Sequence, residues 1–212
     1  MIATLSGLLV CYLIGSIPTG YLAARAVKGI DIRKHGSGNM GATNVFRVLG
    51  PAWGIAVLLI DITKGFIAIT VIYPIFMEFG GEYSSELLAK LIFGFAAIAG
   101  HNWTIFLSFK GGKGVATTCG VFLAIAPYAV LCALLVWIAA VLVTKYISVA
   151  SITAAVTCPL WIWLIYKEDD NFTALISMSF LVPVLIIYTH RANIKRLRTG
   201  TEHKINDSSK RM

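Results

Sequence analysis

Long apolar stretches, separated by short polar segments, dominate the 212-residue chain. A helix that crosses the hydrocarbon core of a bilayer needs about 20 predominantly apolar residues. With 58% hydrophobic and only 13% charged residues, the chain is too apolar for a water-soluble globule. The sequence therefore predicts an all-α, polytopic integral membrane protein. The clear candidate spans are residues 3–24, 52–77, 88–107, 147–166 and 172–190.

A further apolar stretch, residues 115–144, is long for one crossing and contains Pro127. Proline within a helix removes a backbone hydrogen bond and breaks or kinks the helix. We predict two helices separated at Pro127, the first of them too short to cross the full hydrocarbon depth. This interpretation gives seven transmembrane helices, whereas a single tilted and kinked helix, the alternative, gives six.

The distribution of charge decides between these counts and sets the orientation. The net charge is +8, and the basic residues cluster in residues 25–47, at Lys110 and Lys113, and after residue 190. Short loops rich in Lys and Arg face the cytoplasm. An N-terminus outside and a cytoplasmic C-terminus require an odd number of crossings, so we predict seven. The acidic segments 77–86 and 167–171 then lie outside.

Several classes of function are disfavoured by what the sequence lacks. The basic residues lie in short loops and the tail rather than on one soluble face, which disfavours nucleic acid as a partner. The four cysteines are isolated among apolar residues, with no CxxC or CxxH spacing. We therefore expect neither a metal site nor a disulfide framework.

The segment His35–Arg47, with the sequence HGSGNMGATNVFR, is glycine-rich and lies between two apolar stretches. Glycine permits a positive φ, and consecutive amides in such a turn form a concavity that attracts anions. A helix beginning after the segment would add the partial positive charge of its N-terminal amides. This pattern favours a site for an oxyanion such as phosphate; a flexible loop with helix-capping residues is the alternative. Neutral donor side chains are supplied by Ser37, Asn39, Thr43 and Asn44.

A second glycine-rich segment, FKGGKG (109–114), carries Lys110 and Lys113. It is not an ATP-binding Walker A loop, because that pattern has glycine at the position of Leu107 and Ser or Thr at that of Gly114. Lysine is a point charge that suits phosphate. Two such segments on one membrane face indicate two phosphorylated groups, or one group held from both sides.

Three further polar features of the sequence lie outside the two glycine-rich segments. His190 and Asn193 are three residues apart, so they share a helical face and can reach a polyol. Basic residues that follow them suit anionic lipid headgroups. Asp61 and Lys64 lie within an apolar stretch, where ionisable residues indicate either a structural pair or contact with a site.

Five motifs occur together and in order along the chain. In this combination the sequence resembles the bacterial acyl-phosphate:glycerol-3-phosphate acyltransferase family over essentially its whole length. One departure is Met40, where the family usually has proline or another apolar residue. The motifs are GSIPTGY (15–21), GIDIRKHGSGNMGATNVFRVLG (29–50), DITKG (61–65), FKGGKGVAT (109–117) and HRANIKRL (190–197).

The resemblance implies transfer of a fatty acyl group from acyl-phosphate to glycerol 3-phosphate, giving lysophosphatidic acid and phosphate. This is the first acylation of phospholipid synthesis. We expect a single transmembrane acyltransferase domain over residues 1–198 and a basic cytoplasmic tail over residues 199–212. The expected location is the bacterial cell (inner) membrane with the active site facing the cytoplasm, in contact with membrane lipids and without metal or cofactor.

The resemblance also implies roles for individual residues. The segment from Ser37 to Asn44 resembles the cradle for the phosphoryl group of acyl-phosphate, and Arg47 and Lys113 resemble the clamp on glycerol 3-phosphate. Contacts with its glycerol end are implied for His190 and Asn193, and Ser151 is expected in the same pocket. The predicted catalytic residues are His190, Asn193 and Lys113. The other predicted substrate-binding residues are Ser37, Gly38, Asn39, Gly41, Thr43, Asn44, Arg47, Lys110 and Ser151.

The chemistry of an acyl-phosphate fits this composition, because phosphate is a good leaving group. Catalysis then depends more on orienting the two substrates and neutralising their phosphate charges than on a nucleophilic side chain of the protein. The sequence contains neither a Gly-x-Ser-x-Gly elbow nor a His-x4-Asp motif. A phosphate oxygen of the donor is our expected base, and His190 is the competing candidate.

Two other functions remain alternatives at this stage. A carrier for phosphate or a phosphorylated metabolite also needs glycines and basic residues, but carriers are accessible from both faces and often contain internal repeats. The sequence shows no repeat, and its basic motifs lie on one side. A non-catalytic membrane scaffold leaves the glycines and polar residues of 36–44 unexplained.

Overall fold

The computed structural model describes residues 2–80 and 85–205. In these ranges the chain forms helices joined by loops, which confirms the predicted all-α class. Residues 81–84, in the acidic segment 77–86, and residues 206–212, in the predicted tail, lie outside the described residues. The α-helices are α1 (Ile2–Ser16), α2 (Thr19–Lys28), α3 (Ala42–Leu49), α4 (Pro51–Ile67), α5 (Tyr73–Glu78), α6 (Glu86–Asn102), α7 (Val115–Ile125), α8 (Pro127–Thr144), α9 (Ile147–Tyr166), α10 (Phe172–Thr189) and α11 (Arg191–Arg198).

Six segments of the described chain are long and apolar enough to cross a membrane. Three of them are composite. The first consists of α1 and α2, the third adds the 3₁₀ turn Ile105–Leu107 to α6, and the second joins α4 to α5 through a π-helical turn at Ala68–Ile72. Pro74 follows that turn and has no backbone N–H to donate, which accounts for the irregular hydrogen bonding there. The six spans are Ile2–Lys28, Pro51–Glu78, Glu86–Leu107, Pro127–Thr144, Ile147–Tyr166 and Phe172–Thr189.

The predicted break at Pro127 is confirmed, since α7 ends at Ile125 and α8 begins at Pro127. Proline is well suited to the first turn of a helix, where its missing N–H has no helical partner to lose. With 11 residues, α7 is about 16 Å long, which is about half the thickness of the hydrocarbon core. A seventh crossing by α7, and the orientation of the chain, stay predictions.

The described helices group into two compact units, one within Met1–Ala124 and one within Ile125–Asp207. In the first unit, α1 packs along α6, and α2 and α3 pack on α4. In the second unit, α9 packs against both α8 and α10, and α11 continues from α10 after a bend.

The close approach of α4 and α7 sets the position of the polar segment that precedes α7. A Cβ on Gly65 of α4 would lie 2.0 Å from the carbonyl oxygen of Thr117, and a Cβ on Gly120 of α7 would lie 1.9 Å from that of Ile62. Small residues let membrane helices approach to backbone contact and gain dispersion energy. The paired glycines therefore hold α7 directly on α4.

Candidate functional site

The first glycine loop, residues 35–41, is organised around the side chain of Asn44. Its Nδ2 donates to the carbonyl oxygens of Asn39, His35 and Ile32 at 2.7, 3.0 and 3.3 Å. Its Oδ1 accepts from the backbone N–H of Ser37 at 2.8 Å. With 1% of its surface exposed, Asn44 forms the interior of the loop and fixes its curvature.

Two positions of this loop favour glycine over other residues, because of their backbone conformation or the space around them. Gly36 has a φ of +59°, and a Cβ there would lie 2.2 Å from Oδ1 of Asn44. Gly38 has a φ of +74°. The loop ends where Oδ1 of Asn39 accepts from the N–H of Gly41, which is the N-cap of α3. A helix therefore begins after the loop, as the anion-site prediction requires.

The structure changes the interpretation of Asn44. From the sequence, Asn39 and Asn44 were expected to offer donors to a ligand. In the structure, both side-chain oxygens and Nδ2 of Asn44 are engaged with loop backbone. Short polar side chains readily satisfy nearby backbone groups. The anion-facing candidates of the loop are its backbone amides, the half-buried Ser37 and Thr43, and Nδ2 of Asn39, whose prediction stands.

A cluster of charge and aromatic surface lies just before the first glycine loop. Asp31 accepts from Nε and Nη2 of Arg33 at 3.0 and 2.8 Å, and the guanidinium groups of Arg33 and Arg25 lie 5.2 and 5.6 Å from the ring centroid of Tyr21. The hydrogen bonds from Arg33 lower the pKa of the Asp31 carboxyl to about 2. Arg33 is therefore held as an ion pair. Arg47, in the last turn of α3, is half-buried.

The second glycine loop, residues 110–114, is attached by its backbone to the end of α6. The N–H of Gly111 donates to the carbonyl of Asn102 at 3.1 Å, and the N–H of Gly112 donates to that of His101 at 2.9 Å. Lys110 is exposed. The loop leads directly into α7, so helix N-terminal amides follow it, as they follow the first loop.

Both glycine loops belong to the first unit and are anchored in one hydrophobic cluster. Met40 of the first loop and Leu107, just before the second, are 2% and 8% exposed and belong to it. The break between α1 and α2 also contacts both segments. The carbonyl of Ser16 accepts from Oγ1 of Thr104 at 2.5 Å, and a Cβ on Gly20 would lie 1.9 Å from the carbonyl oxygen of Met40. The structure therefore brings the two predicted phosphate-binding segments together, and it explains Met40 as a core residue.

In the second unit, His190 lies at the bend between α10 and α11 and is 2% exposed. Its Nδ1 is 2.8 Å from the carbonyl oxygen of Ile186. Since a carbonyl oxygen only accepts, Nδ1 carries the proton of this bond. In the neutral ring Nε2 is then the nitrogen that accepts a proton.

Asn193 lies on the same face of α11, one turn from His190, and its amide is held by Glu202. Nδ2 of Asn193 donates to Oε1 of Glu202 at 2.6 Å. Ser148 donates to the same oxygen at 3.0 Å, and Nε of Arg196 donates to Oε2 at 2.7 Å. Oδ1 of Asn193 is buried and has no hydrogen-bond partner in the described part of the chain. The contact with Glu202 therefore fixes the orientation of the Asn193 amide. It leaves Oδ1 of that amide as an acceptor that no described group of the second unit uses.

Burial by itself raises the pKa of the Glu202 carboxyl, but its hydrogen bonds from Asn193, Arg196 and Ser148 outweigh burial and lower that pKa below its usual range. Glu202 is therefore ionised at neutral pH. A charged acceptor strengthens each of these hydrogen bonds.

Glu202 is a residue that sequence reasoning missed. It belongs to the segment that was predicted as a basic tail, where it and Asp207 are the two acids. Packed structure extends past residue 198, because the N–H of Ile205 donates to the carbonyl of Lys145 at 2.9 Å. The signal that could have found it is the presence of an acid in a basic segment, close after HRAN.

Ser151, the remaining predicted residue, is 4% exposed, and its hydroxyl accepts from Nε1 of Trp137 at 3.3 Å. It lies one helical turn from Ser148 on α9, so both hydroxyls share a face. The structure thus places Ser151, His190 and Asn193 in the second unit, whereas the loop residues, Arg47, Lys110 and Lys113 lie in the first.

Comparison with known proteins identifies relatives along the whole chain. The sequence model of the family described as "Glycerol-3-phosphate acyltransferase" matches residues 5–200. The curated glycerol-3-phosphate acyltransferase of Geobacter sulfurreducens is 47% identical over 92% of this chain and 94% of its own. That of Chlorobaculum parvum is 44% identical over 97% of each.

Two crystal structures are also similar to this chain. Both are of PlsY, an integral membrane glycerol 3-phosphate acyltransferase. Its glycerol 3-phosphate form has a TM-score of 0.80 and 40% identity and covers 95% of this chain and 94% of its own. Its lysophosphatidic acid form has a TM-score of 0.79 and 38% identity over 98% of this chain and 97% of its own.

Proposed function

Because the chain belongs to the glycerol-3-phosphate acyltransferase family, we propose that it transfers a fatty acyl group from acyl-phosphate to glycerol 3-phosphate. The products are lysophosphatidic acid and inorganic phosphate. The protein is an acyltransferase of phospholipid biosynthesis that resides in a membrane. Acyl-phosphate as the donor, the reaction mechanism and the orientation in the membrane are the parts that we propose.

One observation carries the proposal: two glycine loops, each leading into a helix N-terminus, share one hydrophobic anchor in the first unit. Each loop offers backbone amides to an anion, and basic residues accompany both. The reaction that we propose has a phosphoryl group on each of its two substrates, so two such loops are what the chemistry requires. The related glycerol 3-phosphate form of PlsY supports one of these substrates.

We assign the backbone amides of residues 36–41, in the first glycine loop, to the phosphoryl group of acyl-phosphate. The curvature of that loop is set by Asn44, so the amides are preorganised before the substrate arrives. We assign Arg47, Lys110 and Lys113 to the phosphate of glycerol 3-phosphate. An arginine fork and a lysine point charge together neutralise a dianion that would otherwise repel the donor.

The glycerol end of the acceptor is assigned to His190 and Asn193. The Glu202 carboxylate orients the Asn193 amide, so that Oδ1 accepts from a hydroxyl of the substrate. His190 presents Nε2 to the glycerol end, since Nδ1 is committed to Ile186, and it is the competing candidate for the base. Ser151, one helical turn from Ser148 on α9, is assigned a further hydroxyl contact with the acceptor.

In the reaction, a hydroxyl oxygen of glycerol 3-phosphate attacks the acyl carbonyl carbon. The new carbon–oxygen bond forms as the bond between that carbon and the phosphate oxygen breaks. The hydroxyl proton passes to a phosphate oxygen of the donor, which leaves as inorganic phosphate. The protein forms no covalent intermediate in this scheme and accelerates the reaction by orientation and by neutralising charge.

We propose that the enzyme lies in the cell (inner) membrane of a bacterium with both glycine loops facing the cytoplasm. The basic loops support this orientation, because short loops rich in Lys and Arg stay on the cytoplasmic side. The N-terminus then lies outside, and α7 provides the seventh, shorter crossing. The acyl chain of the donor lies among the apolar helix faces.

A direct assay tests the proposal. Purified protein in detergent is mixed with acyl-phosphate and radiolabelled glycerol 3-phosphate, and labelled lysophosphatidic acid is expected. Acyl-coenzyme A and an acyl carrier protein thioester, supplied as separate donors, are expected to yield none. Product from a thioester but none from acyl-phosphate would contradict the donor assignment. Vesicles that take up label without acylation would instead indicate a carrier.

A second measurement separates the two candidate bases. Replacing His190→Ala removes Nε2 but leaves the donor phosphate in place. A variant that retains most of the wild-type turnover number excludes His190 as the base. A loss of more than about a hundredfold favours His190 over the donor phosphate, since general bases contribute about that much or more.

A further inference from the structure

A buried ion pair lies within α4 of the first unit. Asp61 and Lys64 are 2% and 3% exposed, and Nζ of Lys64 donates to Oδ1 of Asp61 at 2.6 Å. Lys64 also donates to the carbonyl of Ile17 at 2.6 Å and to the hydroxyl of Thr19. That hydroxyl donates to Oδ1 of Asp61 at 2.9 Å. The structural pair, one of the two interpretations that the sequence left open, is confirmed. Lys64 also satisfies a backbone carbonyl at the break between α1 and α2.

A single imidazole ring, that of His101, lies between the Asp61 carboxylate and the second glycine loop. Nδ1 of His101 is 3.8 Å from Oδ1 of Asp61. At the other edge of the ring, a Cβ on Gly112 would lie 2.0 Å from Nε2. The ring of His101 therefore fills the space between the buried Asp61 carboxylate and the α-carbon of Gly112. The backbone carbonyl of His101 also accepts a hydrogen bond from the N–H of Gly112.

The end of α6 leaves polar groups unsatisfied where it meets the loop. Nδ1 of His101 and both side-chain polar atoms of Asn102 are buried without a hydrogen-bond partner among the described residues. A Cβ on Gly114 would lie 2.7 Å from Oδ1 of Asn102. A buried polar group without a partner costs about 1–3 kcal/mol. Apolar side chains would pack there without that cost, so the site is not optimised for stability alone.

The two glycine loops differ in this respect. Asn44 shapes the first loop and makes hydrogen bonds from both ends of its amide. Asn102 lies beside the second loop, and its amide makes none within the described residues. Two backbone hydrogen bonds attach the second loop to the end of α6, and the His101 ring packs against Gly112. Because the ring lies against Gly112, a displacement of the ring would also displace that glycine and its neighbour Lys113.

We propose that Asp61 and His101 are positioning residues that hold the second glycine loop, and with it Lys113, in the conformation that binds glycerol 3-phosphate. The buried negative charge of Asp61 attracts the imidazole edge, and the ring supports Gly112 from behind. This inference rests on the proposed function for the assignment of that loop to the acceptor. Neither residue is assigned a contact with substrate.

The experiment compares Asp61→Asn, His101→Gln and the double variant as purified proteins in detergent. Initial rates are measured with each substrate varied, and glycerol 3-phosphate binding is measured by calorimetry without donor. Each single variant is expected to raise both KM and Kd for glycerol 3-phosphate about tenfold, with KM for acyl-phosphate within twofold of wild type. Since both residues act through one contact, the effects of the two substitutions are not expected to add. KM and Kd of the double variant for glycerol 3-phosphate are expected to be no higher than those of the more impaired single variant.

The matched control is Glu86→Gln, the same change of carboxylate to amide at the other end of α6, where Glu86 forms an exposed pair with Lys90. It is expected to leave both substrates unaffected. Folded variants that bind glycerol 3-phosphate as wild type does would overturn the proposal, and so would equal losses for both substrates. Wild-type formation of lysophosphatidic acid, measured in the same preparation, separates the two questions. If the wild type forms no lysophosphatidic acid, the proposed function is rejected. If the wild type forms it but the variants lack the predicted effects, only this inference is rejected.

If Asp61→Asn does not fold, the wild-type protein provides the test. The imidazole ¹⁵N resonances of His101, identified by their loss in His101→Gln, are followed as glycerol 3-phosphate is added. A saturable shift of these resonances supports the coupling of the ring to the loop. Resonances that stay unchanged at saturating glycerol 3-phosphate would overturn it.

Discussion

Nδ2 of Asn193 donates a 2.6 Å hydrogen bond to Oε1 of Glu202, and this bond decides which atom of the Asn193 amide is left for a ligand. The same carboxylate joins α11 to Ser148 of α9. Glu202 therefore fixes the orientation of a predicted catalytic side chain without needing to contact the substrate itself.

Replacing Glu202→Gln is expected to raise KM for glycerol 3-phosphate about five- to tenfold. The change keeps the size of the side chain but removes the charge from three hydrogen bonds, and charged hydrogen bonds are worth about 1 kcal/mol more than neutral ones. Steady-state kinetics in detergent measure the effect. Glu168→Gln is the control, since its side chain is 87% exposed in the same unit. An unchanged KM in Glu202→Gln would contradict the orienting role.

The lowered pKa of Glu202 makes the stability of the second unit depend on pH. A carboxyl with a lower pKa in the folded state contributes stability above its unfolded value of about 4.3, and this stability is lost as pH falls through the folded value. Thermal unfolding of wild type and Glu202→Gln is measured between about pH 3 and 7. The difference in Tm is expected to be largest near neutrality and to shrink in acid. A difference that is constant over this range would show that the charge of Glu202 contributes nothing.

The first glycine loop is expected to fail in the isosteric variant Asn44→Asp. An oxygen would replace Nδ2 opposite the carbonyls of Ile32, His35 and Asn39, so three attractive contacts become repulsive. We expect kcat/KM for acyl-phosphate to fall at least about a hundredfold while the protein still inserts into membranes. Asn171→Asp, an exposed site at the start of α10, is the control. Normal use of acyl-phosphate by Asn44→Asp would show that the loop is not its cradle.

Removing either cation of the acceptor clamp is expected to weaken glycerol 3-phosphate use in particular. Arg47→Ala and Lys113→Ala each delete a charged contact worth about 1.5–3 kcal/mol, so KM for glycerol 3-phosphate rises about ten- to a hundredfold. Lys167→Ala, at an exposed lysine of the second unit, serves as the control. The clamp assignment is wrong if both variants show wild-type kinetics for glycerol 3-phosphate.

Features set by neighbouring residues could be predicted from the sequence. Apolar length gave the spans, and Pro127 gave the break between α7 and α8 because proline acts on its own helix. Glycine spacing gave both glycine loops and the helices that follow them. The pairing of Asp61 with Lys64 also followed from local spacing.

Features set by distant residues could not be predicted in this way. Ser148 and Glu202 are 54 positions apart, and nothing in either segment specifies their hydrogen bond. The polar residues of the first loop were expected to face a ligand, but the amide of Asn44 satisfies the loop itself. Such contacts depend on tertiary packing, which short-range pattern does not determine.

The central claim, that the two glycine loops of the first unit bind the two phosphoryl groups, is tested most directly by a crystal structure with both substrates in place. Glycerol 3-phosphate and an unreactive acyl-phosphonate would be bound together. The account predicts that phosphoryl oxygens lie within about 3.2 Å of backbone amides in residues 36–41 and of amides or basic side chains around residues 110–115. Phosphoryl groups bound away from both loops would contradict it.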